Sequence, residues 1–277
     1  MKCRDFLACI AVFWMAAALP ALAVPGATPS VARQVTTLMS RAFENYFRYS
    51  YAQRMRITIH PAKGEALERI MDMVHLRNEG RSEWRIAFQA PEYLRGTQLL
   101  AIENHERDDD HFLFSPEFRK VRRITSAKRG GRIAGTDFTF EDLDIKYASQ
   151  FELKQEESGE SQGYRCLWVR GVPRFDSHYA AMRWCVDTRR DLILEARALD
   201  LRGRRVKTLR VDPEKVRRIG DHHLAYLWEM TDEITGSRTQ IELTEVHLAP
   251  DFPHGTFSIR ALESGRKMPI LSSYEAH

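Results

Sequence analysis

From Tyr51 onward the apolar residues of this chain fall mostly on every second position, and this period of two is what most limits the fold. Met55, Ile57 and Ile59 alternate in QRMRITIH, Trp84, Ile86 and Phe88 in EWRIAFQ, and Phe112 and Phe114 in HFLF. The pattern returns in Tyr164, Cys166 and Trp168, in Met182, Trp184 and Val186, and over 192–198, 206–211, 224–230 and 241–248. Successive side chains of a strand point to opposite faces, so each segment reads as a strand with one apolar face. Asn78-Glu79-Gly80, Gly130-Gly131, Ser158-Gly159, Arg202-Gly203 and Thr235-Gly236 supply turn signals between them. Short strands without βαβ alternation predict a mainly β (α+β) fold built on a large antiparallel sheet. One-face alternation leaves the other face polar and wet. A strongly curved sheet, or incomplete β-barrel, is then free to wrap its apolar face around something, with a helix over the mouth.

One segment follows another period. In SVARQVTTLMSRAFENYFRY, Val31, Val35, Leu38, Met39, Ala42 and Tyr46 recur at three- and four-residue steps, which predicts an amphipathic helix over 30–49 capped by Ser30. Ahead of it, Lys2 and Arg4 precede the apolar run FLACIAVFWMAAALPALA, which ends in Ala21-Leu22-Ala23. That is the pattern of a signal peptide, residues 1–23, cleaved after Ala23, with export to the periplasm. The run is short for a membrane span, which needs about 20 residues. Pro25 to Ser30 reads as a linker, and residues 24–277 as a single domain. Cleavage removes Cys3 and Cys9 and leaves Cys166 and Cys185. An oxidising compartment permits a disulfide between these two, which would face each other across a hairpin centred near Phe175-Asp176.

Charge excludes a dedicated nucleic-acid protein. Lys and Arg number 42 against 38 Asp and Glu; residues 1–23 hold two of the basic and one of the acidic, leaving a net +3. The basic residues do concentrate locally, in FSPEFRKVRRITSAKRGGRIAGTDFTFEDL (Phe114 to Leu143). KRGGRIAG has neither the GxxxxGK[ST] nor the GxGxxG order, so it is no nucleotide cradle. The run reads as a strand pair turning at Gly130-Gly131. Its cations either guard a sheet edge or attract anionic lipid headgroups in transient membrane contact.

Other chemistry is thin. Adjacent strand residues point opposite ways, so Asp108-Asp109-Asp110-His111 and His222-His223 read as solvated turn or strand positions rather than metal ligands. No GxSxG occurs, and no cofactor motif or catalytic residue is assigned. The expectation is a protein that is not an enzyme.

The run from Arg85 to Leu143 resembles the LolA-like outer-membrane lipoprotein-sorting family, in the branch often found beside RND-type exporters. The matching features are Pro91 before Leu94-Arg95-Gly96-Thr97, Leu99-Leu100, acidic residues before an aromatic strand, then Pro116 and Val121-Arg122-Arg123-Ile124. Gly135-Thr136-Asp137-Phe138 leading to Glu141-Asp142-Leu143 completes them. APDFPHGTFSIRAL matches the closing segment more weakly. The resemblance implies an incomplete barrel with helices over its opening and an apolar cavity for the acyl chains of a lipid or lipoprotein. It also implies a handover partner in the membrane, an RND-type exporter. The expected cavity lining is Met55, Ile57, Trp84, Ile86, Phe88, Phe112, Phe114, Phe138, Phe140, Trp184 and Trp228. Of the motif residues, Arg95 and Gly96 mark one corner and Gly135 a position that excludes a side chain. Asp137 and Asp142 are expected to pair with Arg95, Arg122 or Arg123. Two other readings stay open, a periplasmic sensor on the same fold and an enzyme with a site assembled across strands.

Overall fold

The computed structural model describes residues 29–264, apart from 105, 106, 108, 126, 127 and 249, together with residue 268. The expected signal peptide, its cleavage site and most of the linker lie outside the described residues, as does Asp108.

The period-two segments are strands, fifteen among the described residues. They are β1 (Tyr51–His60), β2 (Leu67–Asn78), β3 (Arg81–Ala90), β4 (Gln98–Ile102), β5 (Asp110–Ser115), β6 (Lys120–Ile124), β7 (Phe151–Ser161) and β8 (Tyr164–Pro173). After these come β9 (Ala181–Asp187), β10 (Leu192–Leu199), β11 (Arg205–Val211), β12 (Val216–Ile219), β13 (His222–Ala225), β14 (Leu227–Asp232) and β15 (Arg238–Leu248). Thirteen form one sheet in the order β6-β5-β4-β3-β2-β1-β15-β14-β11-β10-β9-β8-β7, with β12 and β13 as a separate hairpin. Every pairing is antiparallel. The first strand pairs with the last, so β1 and β15 meet mid-sheet, and β6 and β7 are left as edges. The sheet is strongly curved and not closed.

Register decides which side chains face inward. Gln53, Met73, Ile86, Leu99 and Leu113 form one transverse row across β1 to β5. Met73, Ile86 and Leu99 are buried in the concave cluster, and Leu113 packs against it. The adjacent row, Ala52, Val74, Arg85, Leu100 and Phe112, faces the other way.

That convex face is wet where Arg56 stands exposed between Glu68 and Glu242, but it is covered over much of β2 to β5. Phe252, Phe257 and Met268 pack on Ala52, Val74 and Ala87, while Leu262, on the short helix α2 (Ile259–Glu263), packs on Leu100 and Phe114. Arg85 is wholly buried there and donates to Gln98 Oε1 (2.9 Å) and to the Thr256 and Ala261 carbonyls. Over these strands the expectation of a wet outer face fails because QLLAI and HFLF are apolar at consecutive positions, which gives them two faces to bury.

Helix α1 (Pro29–Phe47) lies on the concave side of the other half of the sheet. Its three- and four-residue stripe, Val35, Leu38, Met39, Ala42 and Phe43, is buried against Phe151, Val169, Trp184, Val186 and Ala196. Phe43 and Phe151 meet the Trp184 ring edge-on at 5.2 and 5.1 Å, a favourable aromatic geometry. Ser30 sits inside the helix rather than capping it, because the helix already includes Pro29, and proline is well suited to a first turn. Among the described residues no helix is long and apolar enough to cross a membrane.

Cys166 and Cys185 form the expected disulfide, with Cα atoms 5.3 Å apart. They are not directly opposite, however: Cys185 pairs in register with Trp168, so the bond runs diagonally from β8 to β9. The turn signals hold with two exceptions. Gly159 lies within β7 against the Trp168 indole, and the turn follows at Gln162-Gly163. Gly130-Gly131 joins no strand pair. After β6 the chain leaves the sheet and crosses the concave face in tight turns until β7 begins.

Candidate functional site

Between α1, the curved sheet and the crossing segment lies a cavity of about 300 Å³. The last turns of α1 contribute Phe43, Tyr46 and Phe47, the sheet contributes Met55, Met71, Met73, Trp84, Ile86, Trp184, Leu209 and Trp228, and the crossing segment contributes Phe138 and Leu143. Most of the wall is therefore apolar, and methionines, unbranched and adaptable, make up much of its sheet side.

Of the residues singled out in sequence, Met55, Trp84, Ile86, Phe138, Trp184 and Trp228 line this space. Ile57, Phe88 and Phe140 are buried in the surrounding concave cluster without reaching it. Phe112 and Phe114 are a correction: they lie on the convex face, with Leu100 and Leu262. Alternation in HFLF fits either register, and it is Leu113 that pairs with Leu99 on the inner face. Met71 and Met73 were missed although IMDMVHL alternates; a bulge between Ile70 and Met71 shifts their pairing with β3. The α1 residues were missed because their stripe reads only as a packing face.

A polar trio interrupts the apolar wall. Lys207, on β11, donates to Asp142 Oδ2 at 2.7 Å, and the Tyr179 hydroxyl donates to Asp142 Oδ1 at 2.8 Å. All three line the cavity. Burial, reinforced by the Asp142 charge, pushes the Tyr179 phenol well above its ordinary range, so it stays a donor. Asp142 also accepts from the Thr139 backbone and hydroxyl, both at 2.8 Å.

The neighbouring acids of the motif serve the same segment. Asp137 is fully buried, accepts from Ser237 (2.6 Å) and Thr239 (2.8 Å), and pairs with Arg132. Glu141 accepts from Ser177 and from the His178 amide and ring. Burial alone would raise its carboxyl, but these hydrogen bonds hold it below its ordinary value. Asp144 pairs with Arg129 and lies beside His111. Ala134 and Gly135 both have positive φ and form the turn that brings Ile133 back to Phe138, which is what Gly135 supplies.

The arginines expected to hold Asp137 and Asp142 do other things. Arg95 pairs with Glu92 on the surface, Arg123 pairs with Asp110, and Arg122 lies over the Phe118 ring. Gly96 has positive φ and packs against Pro116, which joins the β3–β4 and β5–β6 turns. Asp137 found Ser237 and Thr239 a hundred residues away, at the β14–β15 connection and the start of β15, and Asp142 found Tyr179 on the β8–β9 connection and Lys207 on β11, where no local pattern reveals them.

Asp110 accepts from Arg107 and Arg123 while His111 is buried beside Asp144, so these neighbours point apart. Among the described residues no cluster of three or more potential metal ligands forms. Below the end of α1, His75 is fully buried, its Nδ1 2.9 Å from the Tyr49 carbonyl oxygen. Burial lowers its pKa to about 4, so the imidazole is neutral.

Comparison with known proteins fits this geometry. A domain from Vibrio parahaemolyticus named for outer membrane lipoprotein sorting is 20% identical, with a TM-score of 0.75 over 84% of this chain and 97% of that one. A DUF1329 family protein from Desulfovibrio piger is 20% identical, with a TM-score of 0.77 over 83% and 98%. A LolA superfamily protein from Nitrosomonas europaea is 16% identical, with a TM-score of 0.64 over 81% and 97%. At these identities the likeness is one of fold. No curated protein matches the chain by sequence. Residues 80–264 match a family model described as "Uncharacterized protein", a match that takes in every motif residue named above. The chain belongs to that family, and its fold is LolA-like.

Proposed function

We propose that the protein is a periplasmic carrier that takes the acyl chains of a lipid or lipoprotein into the cavity beneath α1. It then passes them to or from a membrane partner, an RND-type exporter. The observation that carries this reading is the cavity itself, about 300 Å³ and walled mainly by apolar side chains. Ligand pockets begin at about that size. At roughly 30 Å³ per water-sized unit it holds on the order of ten methylenes. Each methylene withdrawn from water contributes about 0.8 kcal/mol, so hydrophobic burial alone is sufficient chemistry and no catalytic residue is assigned. The fold shared with a domain named for lipoprotein sorting and the export signal in the sequence support the same reading.

Native mass spectrometry with lipid extraction, on protein exported to a periplasm and purified without detergent, tests the proposal. A stoichiometric lipid or acylated peptide is the expected result. A clean apo mass together with no uptake of a fluorescent fatty acid would overturn it.

A further inference from the structure

Among the described residues the most exposed large apolar ones are Leu201 (96%), Tyr93 (72%), Ile234 (66%) and Phe118 (53%). They belong to the β10–β11, β3–β4, β14–β15 and β5–β6 connections. In an all-antiparallel sheet alternate connections lie at the same end, and tracing strand direction through the observed order puts these four on one rim. Neighbouring strands are about 4.8 Å apart, so tips recur every 10 Å or so, and Phe118 to Leu201 spans about 40 Å of rim. Single apolar residues so spaced do not make the contiguous patch that a protein interface needs. The hairpin tips along the rim of a curved sheet can, however, all meet one plane together.

Charge selects the kind of plane. Residues 116–122 hold Arg119, Lys120 and Arg122 against Glu117, and residues 200–205 hold Arg202, Arg204 and Arg205 against Asp200. Asp200 is paired with Arg204, and Glu233 beside Ile234 is paired with Arg205. Arg119, Lys120 and Arg202 are exposed and have no carboxylate partner among the described residues. Arg122, exposed, lies 5.1 Å from the Phe118 ring centroid. An aromatic or leucine tip flanked by a cation suits the headgroup level of a bilayer, where the apolar part enters and the charge meets lipid phosphate.

We infer that this rim, with Tyr93, Phe118, Leu201 and Ile234 at its tips, is a docking surface for an anionic lipid bilayer. Docking there does not depend on what the cavity holds, so the two proposals fail separately.

The test is co-flotation with phosphatidylethanolamine–phosphatidylglycerol vesicles, against phosphatidylcholine vesicles. The wild type should float with the anionic vesicles, and less as salt is added. The double variant Phe118→Ser, Leu201→Ser should bind about tenfold or more weakly, since two side chains lose their apolar burial. Its thermal melt and its uptake of a fluorescent fatty acid in vesicle-free buffer should be unchanged. Tyr164→Ser with Leu248→Ser, altering exposed residues near the opposite rim, should float like the wild type. No flotation of the wild type, or equal losses in the two double variants, would overturn the proposal. So would a rim variant that fails only to bind a protein partner.

Discussion

Leu209 gives the sharpest test of the cavity. It lies on β11, half-buried, paired with Ala196 and Met230, and it lines the cavity. In Leu209→Trp the larger side chain has open space ahead of it, and the indole should take up roughly a third of the room available to a chain of about ten methylenes. Excluding about three methylenes costs the ligand about 2.4 kcal/mol, or about 50-fold in affinity. Overpacking a filled core costs about 1–3 kcal/mol, whereas growth into a void should change folding stability by less than about 1 kcal/mol. Displacement of a fluorescent fatty acid and a urea melt, run on the same preparation, measure both quantities. Unchanged affinity with unchanged stability would refute the cavity as the acyl site. A stability loss near 3 kcal/mol would show that the space is not free to be filled.

Three further outcomes follow from named contacts. His75 has a folded pKa of about 4, below the ordinary 6.5, so its contribution is intact above pH 6.5 and is lost as pH falls toward 4. Urea melts should lose about 3 kcal/mol over that window, and His75→Phe should flatten this part of the profile. Reducing the Cys166–Cys185 disulfide, or replacing both cysteines with alanine, opens a loop with a sequence separation of 19 and should cost about 3 kcal/mol in the same assay. Asp137→Ala strips two buried hydroxyls of their acceptor and should destabilise by about 2–3 kcal/mol, whereas Arg132→Ala, at a half-exposed partner, should cost clearly less in a thermal melt.

The sheet was legible in the sequence because its signal is local. Each strand carries its own alternation and its own turn residues, so β1, β3, β8 and β9 follow from a dozen residues apiece. What was not legible is everything set by a distant partner. Phe112 and Phe114 alternate as well as any inward pair, yet Leu113 faces in because β5 is registered on β4 with apolar side chains on both faces. The aspartates of the motif were recognisable as important, but Asp137 is held by Ser237, Thr239 and Arg132 and not by Arg95, Arg122 or Arg123. Alternation also cannot distinguish a lined cavity from a filled core. That difference depends on where α1 and residues 125–150 stand off from the sheet.

Those two elements bound the cavity with unequal firmness. The segment between β6 and β7 spans the gap between the open sheet's two edges, and its acids tie it to two connections and to one strand. Asp137 holds the β14–β15 turn, Glu141 and Asp142 the β8–β9 loop, and Asp142 also holds Lys207 on β11. Most of these groups are buried, so pulling the segment away would strand several charges at once, which is expensive. Helix α1 is different along its length. Its first four turns are packed on Phe151, Val169 and Trp184, and its end is held by neutral contacts: Asn45 on the His223 carbonyl, Gln53 donating to the Tyr46 hydroxyl, and the Tyr46 and Phe47 rings against Trp228 and His75. Beyond the helix end, Arg48 and Tyr49 hold the exposed Asp221. Exposed ion pairs contribute little net stability. Displacing the end of α1 that carries Tyr46 and Phe47 into the cavity wall breaks neutral hydrogen bonds and ring contacts but strands no buried charge, so it is the cheaper of the two elements to displace, and entry of a chain on that side leaves the motif's buried network intact.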